Sequence, residues 1–145
     1  MITLEELLKK EPVYMDLFGN REEVYEEFFP YEVGTQYEYN DIAKRYLPID
    51  GRYTDEFRKE EKILFAYYSV ESYSGDTFVL FEQDGKLYEV TGSHCSCYGL
   101  EGQWEPEETT IEALAHRITN SKSWYHYSDS YRPALKEFLE IKDEV

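Results

Sequence analysis

Residues 63–91 read ILFAYYSVESYSGDTFVLFEQDGKLYEVT, and the fold turns on how this stretch is read. Residues 63–73 and 77–83 are rich in aromatic and β-branched side chains, which fit a pleated, half-buried surface. Ser74, Gly75 and Asp76 supply a turn between the two runs. Asp84-Gly85 is the two-residue signal for a tight hairpin into KLYEVT at residues 86–91. The stretch therefore predicts a three-stranded antiparallel meander. Its first strand is apolar on both sides, at Ile63, Phe65 and Tyr67 and at Leu64, Ala66 and Val70. It is expected away from solvent, with helices covering one side of the sheet.

Helices are expected at both ends of the chain. Thr3 and Glu6 form a capping box ahead of Leu4, Leu7 and Leu8, and Pro12 ends that segment. Asn20 and Glu23 form a second box, with Val24, Tyr25, Phe28 and Phe29 inward and Pro30 as the stop. Glu22, Glu26 and Glu27 then make a solvated face. Beyond the meander, Pro106 fits a first helical position, and Glu107 and Glu108 suit the positive end of a helix dipole. Ile111, Leu114, Ala115 and Ile118 follow at helical spacing, with Asn120 closing the helix. Residues 121–130 read as a polar, aromatic loop. Pro133 opens a last helix that turns Leu135, Phe138 and Leu139 inward.

The middle of the chain is less regular. Residues 31–40 (YEVGTQYEYN) suggest extended chain, residues 41–47 (DIAKRYL) a short helix stopped by Pro48, and residues 54–61 either a helical turn or a lead-in to the sheet. Tyr37 and Tyr39 beside Glu38 and Asp41 form a candidate aromatic and acidic patch. The predicted fold class is α+β, a three-stranded antiparallel meander packed by N- and C-terminal helices, in a single domain spanning residues 1–145.

Charge narrows the function classes. The formal net charge is −16, from 31 acids against 15 bases. Residues 1–61 carry 16 acids and 8 bases and residues 62–145 carry 15 and 7, so each half contributes −8. Residues 22–43 hold seven acids and residues 87–116 hold six, with no Lys or Arg in either run. Neutralising phosphates takes clustered Lys and Arg, so direct binding of nucleic acid or of an anionic membrane is not expected. A partner with a basic surface fits better. The first residues lack a long apolar run, which points to a cytoplasmic protein whose thiols stay reduced.

One loop gathers the unusual chemistry. Residues 92–110, GSHCSCYGLEGQWEPEETT, hold both cysteines, a histidine, a tryptophan and three glycines. His94, Cys95 and Cys97 are zinc-ligand types, and zinc is the one cofactor they suggest. Their spacing departs from the paired-cysteine pattern, and His116, His126 or a carboxylate would have to complete the site. A disulfide fits less well, because extended Cα atoms two residues apart stand about 6.5–7 Å from each other, at the edge of what a disulfide spans. For thiol catalysis Cys95 or Cys97 needs a histidine in reach and an electropositive setting, yet only acids flank the loop. Packing is the plainer account of the cysteines, and compact loops with ordered aromatics also serve as binding surfaces.

Residues 92–114 (GSHCSCYGLEGQWEPEETTIEAL) resemble a motif in a family of small proteins encoded by bacteriophages and related mobile elements. The resemblance implies an origin, and with it a host bacterium, but no activity and no catalytic residue. The chain is also similar in character to small acidic phage proteins that imitate the charge of nucleic acid and block host defence enzymes. On these grounds the expected function is non-enzymatic binding to a host or phage protein with a basic surface. Tyr98, Glu101, Trp104, Glu105, Glu107 and Glu108 are the expected contacts. The alternatives are a metal-supported or cysteine-dependent enzyme centred on His94, Cys95 and Cys97, and a plain structural or accessory protein.

Overall fold

The computed structural model describes residues 2–28, 35–40, 44–50, 60–70, 72–95, 99–100, 103–119 and 131–141, with residues 35–40 and 45–50 described by their backbone. The expected patch at Tyr37 and Tyr39, the expected roles of Phe29, Pro30 and Asn120, the 121–130 loop and most of residues 54–61 lie outside these residues or their described side chains. The order is α1 (Leu4–Leu7), β1 (Val13–Asp16), α2 (Arg21–Phe28), β2 (Thr35–Asn40), β3 (Arg45–Asp50), β4 (Lys62–Tyr68), β5 (Gly75–Gln83), β6 (Lys86–His94), β7 (Glu107–Thr109), α3 (Ile111–Thr119) and α4 (Arg132–Phe138). The class is α+β. Among the described residues no helix is long and apolar enough to cross a membrane.

The meander is present as β4, β5 and β6, but it is the centre of a larger sheet. Five strands run in the order β1-β4-β5-β6-β7. β1 joins β4 in parallel, with Val13 opposite Phe65 and Asp16 opposite Tyr68, and β7 joins β6 antiparallel, with Glu107 opposite Glu89. Both additions are too short to show a period of their own in the sequence. A second correction concerns Glu107 and Glu108, which lie in a strand and not in a helical first turn. The helix begins at Ile111, where the Ala113 N–H donates to Thr110 Oγ1 at 3.0 Å, so Thr110 is the working cap. A third correction lies in the two-stranded sheet of β2 and β3, where Arg45–Asp50 is strand and not helix, and Pro48 stands opposite Tyr37. A proline is tolerated where its missing N–H faces away from a ladder.

A bulge explains how β4 buries both sides. Ile63 pairs with Phe81 and Phe65 with Leu80, which leaves Leu64 as an extra residue. Leu64 and Phe65 consequently face the same way. One face holds Leu64, Phe65, Tyr67, Phe78, Leu80 and Leu87 under α1, α3 and α4. The other holds Ile63, Ala66, Tyr68, Val79, Phe81 and Val90 under α2 and the loop residues Leu100 and Trp104. The faces expected from strict alternation are thus re-sorted, and helices cover both. Val70 falls outside the core altogether, 51% exposed beyond the strand end.

Several local readings are confirmed in detail. Thr3 Oγ1 accepts from the Glu6 N–H, completing the first capping box. Asn20 Oδ1 accepts from the Glu23 N–H at 2.9 Å, while the Glu23 carboxylate reaches one residue further back, to the Gly19 N–H at 2.7 Å. Glu22, Glu26 and Glu27 are exposed, and Leu135, Phe138 and Leu139 are buried. Asp84 and Gly85 have φ of 54° and 80°, the left-handed pair that the tight hairpin needs. The preceding turn is displaced: positive φ falls at Ser72 and Tyr73, and Gly75 is already inside β5.

An ion pair with a buried carboxylate ties α3 to the sheet. Glu89, 6% exposed on β6, accepts two bonds from the Arg117 guanidinium, at 2.8 and 2.7 Å. Burial works against the charge on Arg117, but the Glu89 hydrogen bonds and charge, with Tyr131 and Glu107 adding to them, hold it above its ordinary range. Arg117→Met removes the cation and leaves a carboxylate in the core. The partly exposed arginine head keeps the expected loss to about 2–3 kcal/mol, below the range for a fully buried pair. It is read as a lower urea midpoint at unchanged slope, and Glu89→Gln in the same background recovers part of the loss.

Candidate functional site

The loop after β6 folds back over the second face of the sheet. Its closure rests on Gln103. The Gln103 amide nitrogen donates to the Ser93 carbonyl at 2.8 Å and to the Gly99 carbonyl at 2.7 Å, and its amide oxygen accepts from the Ser93 N–H at 2.9 Å. A side-chain amide that both gives to and takes from one residue's backbone imitates a strand partner, so the Ser93 backbone is met by Gln103 in addition to its ladder position opposite Asp76 on β5. Gly92 makes room for this clamp. A Cβ on it would stand 2.8 Å from Gln103 Oε1 and 3.3 Å from Leu100 Cδ2.

Trp104 anchors the returning chain. Its ring stacks on Phe81 at 5.6 Å and 11°, meets Phe28 edge-on at 4.9 Å, and lies 5.4 Å from Tyr25. It is half-buried among these rings, which makes it a bracing residue for its neighbours. Glu105, Pro106, Glu107 and Glu108 follow, all exposed, and the last two stand on edge strand β7. Glu112 continues the acidic rim on the first turn of α3. Tyr98 and Glu101 lie outside the described residues.

The histidine end of the loop forms a polar corner where β4, β5 and β6 meet. His94 Nε2 is 2.8 Å from the Ser69 carbonyl oxygen, and its ring meets Tyr68 edge-on at 5.0 Å and 85°. The Ser69 N–H donates to the Asp76 carbonyl at 2.9 Å, and the Asp76 N–H donates to Ser69 Oγ at 3.1 Å. Burial raises the Asp76 carboxyl above its usual range, with the His94 charge pulling the other way. Cys95 is half-buried beside this corner, and Cys97 and His126 lie outside the described residues. His116 is exposed on α3, which packs on the opposite face of the sheet from Tyr68. Among the described residues no three metal-ligand types come together.

Sequence reasoning passed over Gln103 and the Glu89–Arg117 pair, and it placed Gly75 in a turn where the structure has it in β5. A signal existed for the pair: Glu89 occupies an inward position two after Leu87, and Arg117 is the first base after the base-free run at 87–116. Gln103 carries no pattern, and the close approach at Gly75 involves chain brought near only by the fold.

No protein-family model matches the chain, and neither does any curated protein or solved structure.

The corner has two expected behaviours. A Cβ at Gly75 would fall 1.8 Å from the Ser69 backbone oxygen and 2.7 Å from His94 Nε2, so Gly75→Ala must displace the Ser69 backbone and, with it, the histidine that the Ser69 carbonyl holds. It is expected to cost several kcal/mol, on the order of 3, and to release the His94 ring from Tyr68 by NMR. For Asp76 the folded carboxyl is raised, so its contribution to stability is present in acid and is lost as pH rises through the folded pKa. Asp76→Asn is therefore expected to stabilise the protein at neutral pH and to lose that advantage in acid, as denaturation midpoints on both sides of the carboxyl range will show.

Proposed function

We propose that the protein is a non-enzymatic binding module that engages a host or phage protein through its acidic rim. The observation that carries this reading is the placement of Glu105, Glu107 and Glu108. All three are exposed, and Trp104 and the β6–β7 ladder hold them on ordered chain. Charge presented on a fixed scaffold loses less conformational freedom on binding than charge on a floppy segment. The net charge of −16 and the absence of any base between residues 87 and 116 make a basic surface the matching partner, one that ordinarily meets nucleic acid. Imitation of nucleic-acid charge against a host defence enzyme follows as the role such a module would serve.

A zinc-supported role remains as a second reading, on one observation. With Nε2 directed at the Ser69 carbonyl as a donor, His94 presents Nδ1 as the lone pair, which is the posture of a metal-ligating histidine. Cys95 and Cys97 would be the companion ligands. Stoichiometric zinc in purified protein, lost together with His94→Ala, supports it, and zinc-free protein of full stability removes it.

For the leading reading, tagged wild-type protein is expected to capture a partner at low salt and release it at about 0.5 M salt, where charges are screened beyond about 4–5 Å. Glu105, Glu107 and Glu108 changed together to Lys should weaken the captured pair by about tenfold or more in a biosensor. Unchanged affinity would remove this surface from consideration.

A further inference from the structure

β7 is the last strand of its sheet, and among the described residues no strand lies on its outer side. In any strand alternate N–H and C=O groups point to either side, so this edge offers backbone donors and acceptors to an added chain. Beside it opens a cleft of about 450 Å³. Ile2, Leu4, Leu87 and Ile111 make its apolar part, and Glu108 and Glu112 also line it. Its size falls within the range of about 300–1,000 Å³ typical of ligand sites.

Charge and shape together select the occupant. A neutral strand arriving at this edge would have to desolvate Glu107 and Glu108, which is how charged edges deter pairing. A strand carrying Lys or Arg gains from the same carboxylates. Glu108 pairs with Tyr88, whose ring stacks on Phe81, so its side chain stands on the face opposite Leu87 and the cleft, and a strand that alternates basic and apolar residues matches both faces of the edge. Glu112, in the first turn of α3, already answers the positive end of that helix. Glu108 is on the strand and forms no ion pair among the described residues, so it is the carboxylate left for an incoming cation. Lys86 is the one base lining the cleft, on the hairpin side next to Gly85.

We propose that β7 and this cleft bind an extended segment of alternating basic and apolar residues from a partner protein, which pairs with the outer edge of β7, places apolar side chains in the cleft and, on the opposite face, sets a Lys or Arg cation at Glu108. The proposal rests on the acidic-rim reading and names the partner chemistry for it.

The test uses the full chain and an acetylated, amidated peptide of alternating arginine and valine, with the glutamate-for-arginine peptide as control. Binding is followed by calorimetry and by amide shifts. The arginine peptide is expected to bind at low salt and to shift the amides of Glu107, Glu108, Thr109, Leu87 and Ile111, while the control does not bind. Glu108→Lys should weaken binding by about tenfold. Two peptides N-methylated at alternate residues, one in each register, probe the ladder without altering the protein, and one of the two should lose binding. Shifts lying elsewhere, with Glu108→Lys and both methylated peptides binding at full strength, overturn the cleft and leave the acidic-rim reading standing. Failure of the arginine peptide to bind wild-type protein also overturns the cleft, and the charge-reversal capture judges the rim separately.

Discussion

β4 and β5 carry apolar side chains on both faces, from Ile63 to Tyr68 and from Phe78 to Phe81, and water can be allowed at neither. Each face therefore needs its own cover. The terminal helices supply one, with Leu7, Ile111, Leu114, Ile118 and Leu135 closing over Phe65, Tyr67 and Phe78. α2 alone is too short to supply the other, and the loop after β6 completes it with Leu100 and Trp104. Here core packing and the proposed binding surface meet in one segment. The inward side chains of the loop are core, and the same anchoring holds the carboxylates of residues 105–108 outward on fixed chain.

Among the described residues, the two buried carboxylates are each tied to a specific partner. Glu89 is held by Arg117, and the Tyr25 hydroxyl donates to buried Glu61 at 3.0 Å. Tyr25 in turn lies under the Arg21 guanidinium, 4.7 Å from the ring centroid, and beside Trp104. α2 is thus joined to the approach to β4 by a hydrogen bond and to the loop by ring contact. On the opposite face Lys10 donates to the Phe138 carbonyl at 2.8 Å, pairs with Glu140 at 2.9 Å and sits over the Phe138 ring, fastening the start of the chain to its last helix. Terminal segments tied in this way are expected to open late in unfolding.

What the sequence disclosed follows the range of the forces involved. The Asp-Gly turn, the Thr3 box, the Asn20 cap and the stripe from Ile111 to Ile118 are local, and each was legible from neighbouring residues. β1 and β7 were not, because a strand of a few residues exists only through the partner it finds far along the chain. The same limit hid the bulge at Leu64, since period-two reading has no way to register one extra residue. At the loop, composition singles out residues 92–110. Which side chains act inward and which outward was settled by the sheet beneath: Trp104, expected as a contact, braces from within, while Glu107 and Glu108, expected in a helix, stand on an edge strand.

Trp104 packs the loop onto the second face of the sheet and thereby holds the acidic residues that follow it. The most direct measurement is an isotope-edited NOE experiment on the Trp104 indole. The account predicts cross-peaks from its ring protons to Phe81, Phe28 and Tyr25, with the upfield shifts that stacked rings impose. Indole protons at solvent-exposed shifts, with no cross-peak to Phe81, would contradict it.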